Sequence, residues 1–226
     1  MNAHFQLACV LFDLDGTLVD TAPDLLAALH RALHSHDLPT PDDRRVQPYI
    51  SYGAAAMVRE SLNGSATEQL QKQILATMLE DYQQHIAERT RLFPGMAEVL
   101  NDLESRGIKW GVVTNKLRRF TDPLMAALQL TDRAACIISG DTTGNSKPHP
   151  EPMLTACRDA GVRPEQSVYI GDSAHDIAAG RSVDMKTVAA AYGYLKPAED
   201  PHSWGADALI QEPLEILHWI ETHTCH

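Results

Sequence analysis

The first side chains that could perform chemistry are two carboxylates separated by one residue, Asp13 and Asp15, in the segment DLDGT. They follow the apolar run Leu7–Phe12, which is predicted to be a buried strand. Residues two apart on an extended segment point to the same side, so both carboxylates can address one small volume. Their mutual repulsion favours a bound cation such as Mg²⁺. Gly16 permits a sharp turn that leaves loop N–H groups, with Leu14 the candidate, free to bind an anion.

Polar side chains also follow other short apolar runs or precede a predicted helix. They are Thr114 and Asn115, Lys147, and the pair Asp172 and Asp176. Functional groups of open parallel sheets lie at the carboxyl ends of the strands, so we expect all of these side chains at one edge. Asp172 and Asp176 add oxygen ligands for Mg²⁺. Thr114 and Asn115 can hydrogen-bond phosphate oxygens, and Lys147 supplies a positive charge.

This set predicts phosphoryl transfer in two steps. Asp13 attacks phosphorus and forms an aspartyl-phosphate. Asp15 protonates the leaving alkoxide and then deprotonates the water that hydrolyses the intermediate. Mg²⁺, Lys147, Thr114 and the loop amides stabilise the charge on the transferred group.

Each feature also has a simpler explanation when it is taken alone. An Asp-x-Asp-Gly segment is most often a turn, and Thr114 with Asn115 could cap the following helix. Lys147 alone could be a solvated surface lysine, and Asp172 could belong to an ordinary strand-to-helix turn. Their placement after successive predicted strands favours the joint functional interpretation.

Five short, almost continuously apolar runs predict parallel strands that are covered on both faces. They are Leu7–Phe12, Lys109–Thr114, Ala135–Ser139, Ser167–Ile170 and Lys186–Ala190. Their alternation with amphipathic stretches predicts an α/β fold with a doubly wound parallel sheet. Residues 21–90 contain only helical patterns, beginning at Thr21, at Ala54 and at Thr67. We therefore expect a core domain of residues 1–20 and 91–226 and a small helical cap domain of residues 21–90.

The composition favours some classes of partner over others. The formal net charge is −11 over 226 residues, and such a field repels nucleic acid and anionic membrane surfaces. The four cysteines (Cys9, Cys136, Cys157 and Cys225) lie far apart and predict neither a disulfide framework nor a metal site. The first residues resemble neither a signal peptide nor a membrane span, so a cytoplasmic location is expected. The expected partner is a small-molecule phosphate ester, bound by a monomer or weak homodimer.

Four motifs resemble those of the haloacid dehalogenase superfamily: DLDGTLVD at residues 13–20, VVTN at 112–115, SKP at 146–148 and GDSAHD at 171–176. The resemblance implies a Rossmann-like core with Asp13 as nucleophile and Asp15 as acid and base. It implies Mg²⁺ held by Asp13, the carbonyl of Asp15 and Asp172, with Asp176 as a ligand or a supporting residue. The helical insertion resembles the type 1 cap of the phosphoglycolate phosphatase branch.

Four further segments resemble the bacterial N-acetylmuramic acid 6-phosphate phosphatases: residues 50–58, 89–96, 145–153 and 192–207. This resemblance implies an amino-sugar phosphate of peptidoglycan recycling as substrate, with 2-phosphoglycolate as the alternative. A β-phosphoglucomutase-like mutase and a non-catalytic receiver-like module are weaker alternatives. In the cap, Tyr52 and Gly53 are candidates to face the ester. Arg45 and Arg59 could pair with a substrate carboxylate, or could be solvated surface charges.

Overall fold

The fold is described from a computed structural model, which describes residues 6–64 and 66–224. The strands are β1 (Cys9–Phe12), β2 (Val19–Asp20), β3 (Arg91–Leu92), β4 (Lys109–Val113), β5 (Ile137–Ile138), β6 (Ser167–Gly171), β7 (Lys186–Ala190) and β8 (Ala208–Ile210). The α-helices are α1 (Ala22–Ser35), α2 (Asp43–Val46), α3 (Ala54–Ser61), α4 (Glu68–Gln84), α5 (Met96–Ser105), α6 (Arg118–Ala127), α7 (Glu151–Ala160), α8 (Ala174–Arg181) and α9 (Glu215–His223). Short 3₁₀ segments span Gln47–Tyr52, Pro164–Gln166 and Pro201–Trp204.

Six of the strands form one parallel sheet in the order β5-β4-β1-β6-β7-β8. β1 lies in the middle, with Phe12 opposite Val112 of β4 and Ile170 of β6. All four residues of β1 are fully buried, because helices cover both faces of the sheet. The predicted doubly wound α/β fold is confirmed, and the ends of β1, β4 and β6 lie side by side.

Two details of the strands differ from the sequence-based expectation. The run Ala135–Ser139 forms only the two-residue strand β5 at the sheet edge. The strand β8 at the other edge was not predicted, because its sequence Ala-Leu-Ile is too short to show a period and is only partly buried. Neither difference affects the strands that carry the predicted site.

The helical patterns between residues 21 and 90 form α1, α3 and α4, which share a second hydrophobic cluster. The predicted helix starts after Thr21, at Ala54 and after Thr67 are confirmed. Phe120 of the sheet-bearing part also packs into this cluster, so the helical layer sits directly on the sheet edge. The predicted cap boundaries at residues 21 and 90 stay a prediction.

The helical stretch is joined to the sheet through two short antiparallel strands, with Val19 of β2 opposite Leu92 of β3. The helix predicted to run towards Arg89 ends at Gln84. Beyond it, the N–H groups of Arg89 and Thr90 donate to the buried carboxylate of Asp24 on α1, at 2.8–3.1 Å. These hydrogen bonds replace helical ones and fix the return of the chain to the sheet.

The state of the cysteines and the character of the helices can be compared with the expectations from composition. The three described cysteines, Cys9, Cys136 and Cys157, are free and buried, and Cys225 lies outside the described residues. Among residues 6–64 and 66–224, no helix combines the length and the apolar character needed to cross a bilayer.

Candidate active site

The ends of β1, β4 and β6 bring Asp13 and Lys147 into direct contact. The Lys147 ammonium donates to Asp13 Oδ1 and to Asp176 Oδ1, both at 2.7 Å. It also donates to the Val113 carbonyl at 2.9 Å and contacts the Tyr169 hydroxyl at 2.7 Å. With only 5% of Lys147 and 7% of Asp13 exposed, this is a buried and well-partnered ion pair.

Asp172 follows β6 and completes a compact acidic cluster. One carboxylate oxygen each from Asp13, Asp172 and Asp176 lies within 4.8 Å of the others. Asp172 Oδ2 accepts hydrogen bonds from the Ser51 hydroxyl at 2.9 Å and from the Tyr194 N–H at 2.8 Å. Its Oδ1 is buried and has no hydrogen-bond partner among the described residues.

The charges in this cluster are unbalanced without a cation. Burial raises the pKa of Asp13 to about 7 against the opposing effect of Lys147. Burial, and then the charges of Asp13 and Asp176, hold the pKa of Asp172 well above its usual range. A divalent ion would favour the ionised carboxylates, and the unpartnered Asp172 Oδ1 offers a hard oxygen ligand. The acidic cluster therefore fits a metal such as Mg²⁺.

Asp176 is held differently from the other two carboxylates. Its Oδ2 accepts hydrogen bonds from the N–H and the hydroxyl of Ser173. The Asp176 N–H in turn donates to the Ser173 hydroxyl oxygen, which completes a capping box at the start of α8. The Asp176 Oδ1 accepts from Lys147 and from Tyr169. The four hydrogen bonds that its carboxylate accepts favour a supporting role for Asp176, and direct metal ligation by this residue stays a prediction.

Addition of Mg²⁺ is expected to stabilise the fold, because the ion relieves repulsion among buried carboxylates that unfolding would release. At about 100 times its dissociation constant it should raise the free energy of unfolding by about 2.7 kcal/mol. In a chain of this size, that shift corresponds to a rise in Tm of roughly 5–10 °C. The measurement is Tm with EDTA and with Mg²⁺.

The matched variants are Asp172→Asn, which should lose most of the Mg²⁺-dependent rise, and Asp159→Asn on the exposed face of α7, which should keep it. A Tm that does not change with Mg²⁺ in the unaltered protein would contradict a metal site at this cluster.

Asp15 lies beside the acidic cluster, with its carboxylate held by two donors. The Thr21 hydroxyl donates to Oδ1 at 2.6 Å. The Lys116 ammonium contacts Oδ1 at 3.0 Å and Oδ2 at 3.2 Å. Thr21 was predicted from the sequence only as a helix start, and its side chain makes no capping hydrogen bond to α1. Ligation of a metal by the Asp15 carbonyl stays a prediction.

The close approach of the first and fourth motifs depends on Gly16, which has a φ of +85°. A Cβ at this position would lie 2.2 Å from Asp172 Oδ2. Gly193, in the loop after β7, is similarly required, because its Cβ would lie 2.3 Å from the Asp172 Cβ. Besides allowing the predicted sharp turn, the absence of a side chain at Gly16 leaves the space that the Asp172 carboxylate occupies.

The candidate phosphate binders occupy different positions. Thr114 is buried at the end of β4, and its hydroxyl accepts a hydrogen bond from the Lys116 N–H at 3.1 Å. The Asn115 side chain pairs reciprocally with the backbone of Lys147, at 2.9 and 3.1 Å. Asn115 thus fixes the lysine loop and also lines the cavity, and contact of its side chain with phosphate stays a prediction. None of the hydrogen bonds among the described residues uses the Leu14 N–H, and its contact with an anion stays a prediction.

Asp13, Asp15 and Lys147 open into a cavity of about 470 Å³ between the sheet edge and the helical layer. Tyr52 and Gly53 line this cavity, as expected from the sequence. Apolar side chains of the helical layer also line it: Leu25, Ile50, Met57, Leu75, Leu79 and Tyr82. The cavity thus combines charged groups of the sheet edge with apolar side chains of the helical layer.

Arg45 and Arg59, for which contact with a substrate carboxylate and a place on the surface were both left open, do not line the cavity. Arg45 donates to the carbonyls of Glu60 and Ser61 at 2.9 and 3.0 Å, and so caps the last turn of α3. Arg59 is exposed on α3. The helical pattern predicted correctly that both residues belong to the helical region of residues 21–90. It could not show which face of each helix is directed towards the cavity.

Three residues at the site were missed by sequence reasoning. Lys116 directly follows the Thr-Asn pair, so its position beside a motif was an available signal. Ser51 reaches Asp172 from the helical layer, and no local pattern marks it. His175, which lies within the fourth motif and was given no role, lines the cavity with its ring centroid 6.2 Å from that of Tyr52.

Comparison with known proteins places this geometry in a family. The family model described as haloacid dehalogenase-like hydrolase matches residues 10–190. An N-acetylmuramic acid 6-phosphate phosphatase of Pseudomonas putida is 41% identical over 220 residues, covering 97% of this chain and 99% of the relative. A phosphoglycolate phosphatase of Xanthomonas campestris pv. campestris is 39% identical, covering 92% and 93%.

A solved structure agrees with these comparisons. The crystal structure of a predicted phosphoglycolate phosphatase from Haemophilus somnus 129pt superimposes with a TM-score of 0.84 at 28% identity. It covers 95% of this chain and 98% of its own. The family resemblance, the fold class and the enzymatic nature inferred from the four motifs are confirmed, and the chain belongs to the haloacid dehalogenase-like hydrolase family.

Proposed function

We propose that this enzyme hydrolyses a small phosphate monoester through an aspartyl-phosphate on Asp13. The observation that carries the proposal is the arrangement of Asp13, which is bonded to Lys147, lies beside Asp172 and faces the cavity. A buried carboxylate that lines a cavity and lies next to a fixed positive charge suits in-line attack on phosphorus. Relatives of high coverage are named as phosphatases, which supports the same reaction.

The chain's own residues would divide the work as follows. Asp13 forms the bond to phosphorus, while Lys147 balances charge on the transferred group. The burial of Lys147 opposes its charged form, yet Asp13 and Asp176 outweigh burial and raise its pKa, which keeps the ammonium charged. Asp15 gives a proton to the leaving oxygen and then takes one from the attacking water. Mg²⁺ bound at Asp13 and Asp172 would neutralise negative charge on the phosphoryl oxygens.

We further propose N-acetylmuramic acid 6-phosphate as the substrate. The Pseudomonas putida relative carries that name and matches nearly the whole chain. The cavity of about 470 Å³ falls in the range of roughly 300–1,000 Å³ that is usual for small-molecule sites. Its wall from Leu75 and Leu79 suits the acetamido and lactyl methyl groups of an amino sugar.

A second candidate is 2-phosphoglycolate, which the Xanthomonas relative is named for. This substrate has only one methylene group to bury against the apolar lining and would leave most of the cavity to water. A phosphomutase is a weaker alternative. A receiver-like module is excluded by membership of a hydrolase family. A monomeric or weakly dimeric state and a cytoplasmic location stay predictions.

The ratio of kcat/KM for the two substrates tests this choice, because it measures discrimination in the transition state. We expect a preference of at least about tenfold for the amino-sugar phosphate, since burial of each methylene-sized group in an apolar pocket accounts for about 10–200-fold. Release of inorganic phosphate from both substrates, with one enzyme preparation and saturating Mg²⁺, provides the measurement. A tenfold preference for 2-phosphoglycolate would reverse the assignment.

A further inference from the structure

Lys116 lies between Asp15 and the helical layer. Its ammonium reaches both oxygens of Asp15, and only 9% of its side chain is exposed. On its other side, the ammonium lies 4.7 Å from the ring centroid of Tyr82 on α4. A lysine in this position satisfies its charge with a carboxylate and with the face of an aromatic ring.

Two donors on opposite elements restrict the Asp15 carboxylate. Thr21, at the start of α1, holds Oδ1, while Lys116, after β4, spans both oxygens. A carboxylate fixed in this way has little rotational freedom, and acid–base catalysis depends on the correct distance to the reacting oxygen. Lys116 is also kept charged, since the Asp15 carboxylate outweighs the effect of burial and raises the pKa of Lys116.

Tyr82 connects this pair to the packing of the helical layer. It is 1% exposed, and its ring centroid lies 5.6 Å from that of Phe120. Phe120 belongs to α6, the helix that begins two residues after Lys116. The position of Lys116 is therefore determined jointly by the chain after β4 and by the seating of α4. A displacement of α4 would remove the ring that lies against the ammonium.

We propose that Lys116 is a positioning residue, which holds Asp15 in line with the leaving oxygen only when Tyr82 of α4 is packed over it. This inference rests on the proposed function, in which Asp15 is the acid and base. It makes the alignment of the proton donor depend on the seating of the helical layer. Lys116 itself forms no bond in the reaction.

The test measures kcat/KM for a series of phosphate esters, from p-nitrophenyl phosphate to phenyl phosphate and an alkyl phosphate, with saturating Mg²⁺. Departure of p-nitrophenolate needs little protonation, whereas departure of an alkoxide needs a well-placed acid. Lys116→Met should lower kcat/KM for the alkyl ester by about 10–100-fold, part of the 10²–10⁴ due to acid–base catalysis. For p-nitrophenyl phosphate we expect a loss below about threefold, because that step makes little use of the acid.

Further variants separate positioning from general damage. Lys116→Arg should restore most of the alkyl-ester activity, since the guanidinium also donates to a carboxylate and stacks on a ring. Tyr82→Leu removes the ring and should reproduce the leaving-group dependence of Lys116→Met. Lys186→Met, which breaks an exposed pair with Asp207, is the matched control and should change nothing.

An equal loss for all esters in Lys116→Met would overturn the proposal, because it would indicate phosphate binding or structural damage. Unchanged rates would overturn it as well. A Tyr82→Leu variant without the leaving-group dependence would remove the link to α4. Failure of the proposed function has a different signature, in which the unaltered enzyme forms no phosphorylated Asp13 from p-nitrophenyl phosphate.

Discussion

Asp13→Asn is expected to lower kcat by at least about 10⁴, which is the order of loss seen when a nucleophile is removed from an enzyme. The amide is a poor nucleophile and cannot form the acyl phosphate. The measurement is hydrolysis of p-nitrophenyl phosphate with Mg²⁺, together with a search for a phosphorylated peptide containing residue 13 in acid-quenched enzyme. The unaltered enzyme should give that peptide and the variant should not.

The fold should survive this substitution. Lys147 would keep Asp176, Tyr169 and the Val113 carbonyl as partners, so its charge would not be left alone. Removal of one buried carboxylate also relieves repulsion within the acidic cluster. The Tm without Mg²⁺ should therefore change little, and Asp159→Asn serves as a surface control. Turnover retained by a well-folded Asp13→Asn protein would exclude Asp13 as the nucleophile.

Asp15→Asn is expected to lower kcat by about 10²–10⁴, the usual contribution of a positioned acid and base. The asparagine keeps the hydrogen bond from Thr21 but has no proton to give and cannot activate water. With p-nitrophenyl phosphate, formation of the phospho-enzyme should continue while its hydrolysis is slow. Intact-mass analysis of the quenched variant should then show accumulation of a singly phosphorylated chain.

The contrast between two substrates makes this prediction specific. With an alkyl phosphate the first step also requires the acid, so the Asp15→Asn variant should accumulate much less phospho-enzyme. Equal rates for Asp15→Asn and the unaltered enzyme with both esters would assign proton transfer to another group.

Much of the site was predictable because strands and their following residues are local in sequence. Asp13 and Asp172 follow buried strands that neighbour each other in the sheet, so their meeting follows from the parallel order alone. Lys147 was predicted as a positive charge for phosphate, from its position ahead of a predicted helix. Its distances to Asp13 and Asp176 confirm that they meet, while their catalytic roles stay predictions.

The contacts between the helical layer and the sheet were not predictable from local patterns. Ser51 and Tyr82 lie 121 and 34 residues from the groups they approach, Asp172 and Lys116. Helical periodicity shows which residues are apolar, but not the orientation of a helix against a distant strand end. Arg45 illustrates the limit, because its positive charge suggested a substrate carboxylate while its guanidinium is used by α3.

The paired strands β2 and β3 have a consequence for how such an enzyme can diversify. β2 and β3 pair with each other, so the chain leaves the sheet and returns to it at the same place. The helices between them can therefore be regarded as one insertion that does not interrupt the order of strands in the sheet. Recombination at β2 and β3 could exchange all of the helices between them and leave the reacting carboxylates unchanged. A successful graft would still have to supply a hydroxyl for Asp172 and an aromatic face for Lys116. A new substrate specificity could therefore be acquired by exchange of the inserted helices in one step, provided that the contacts to Asp172 and Lys116 are kept.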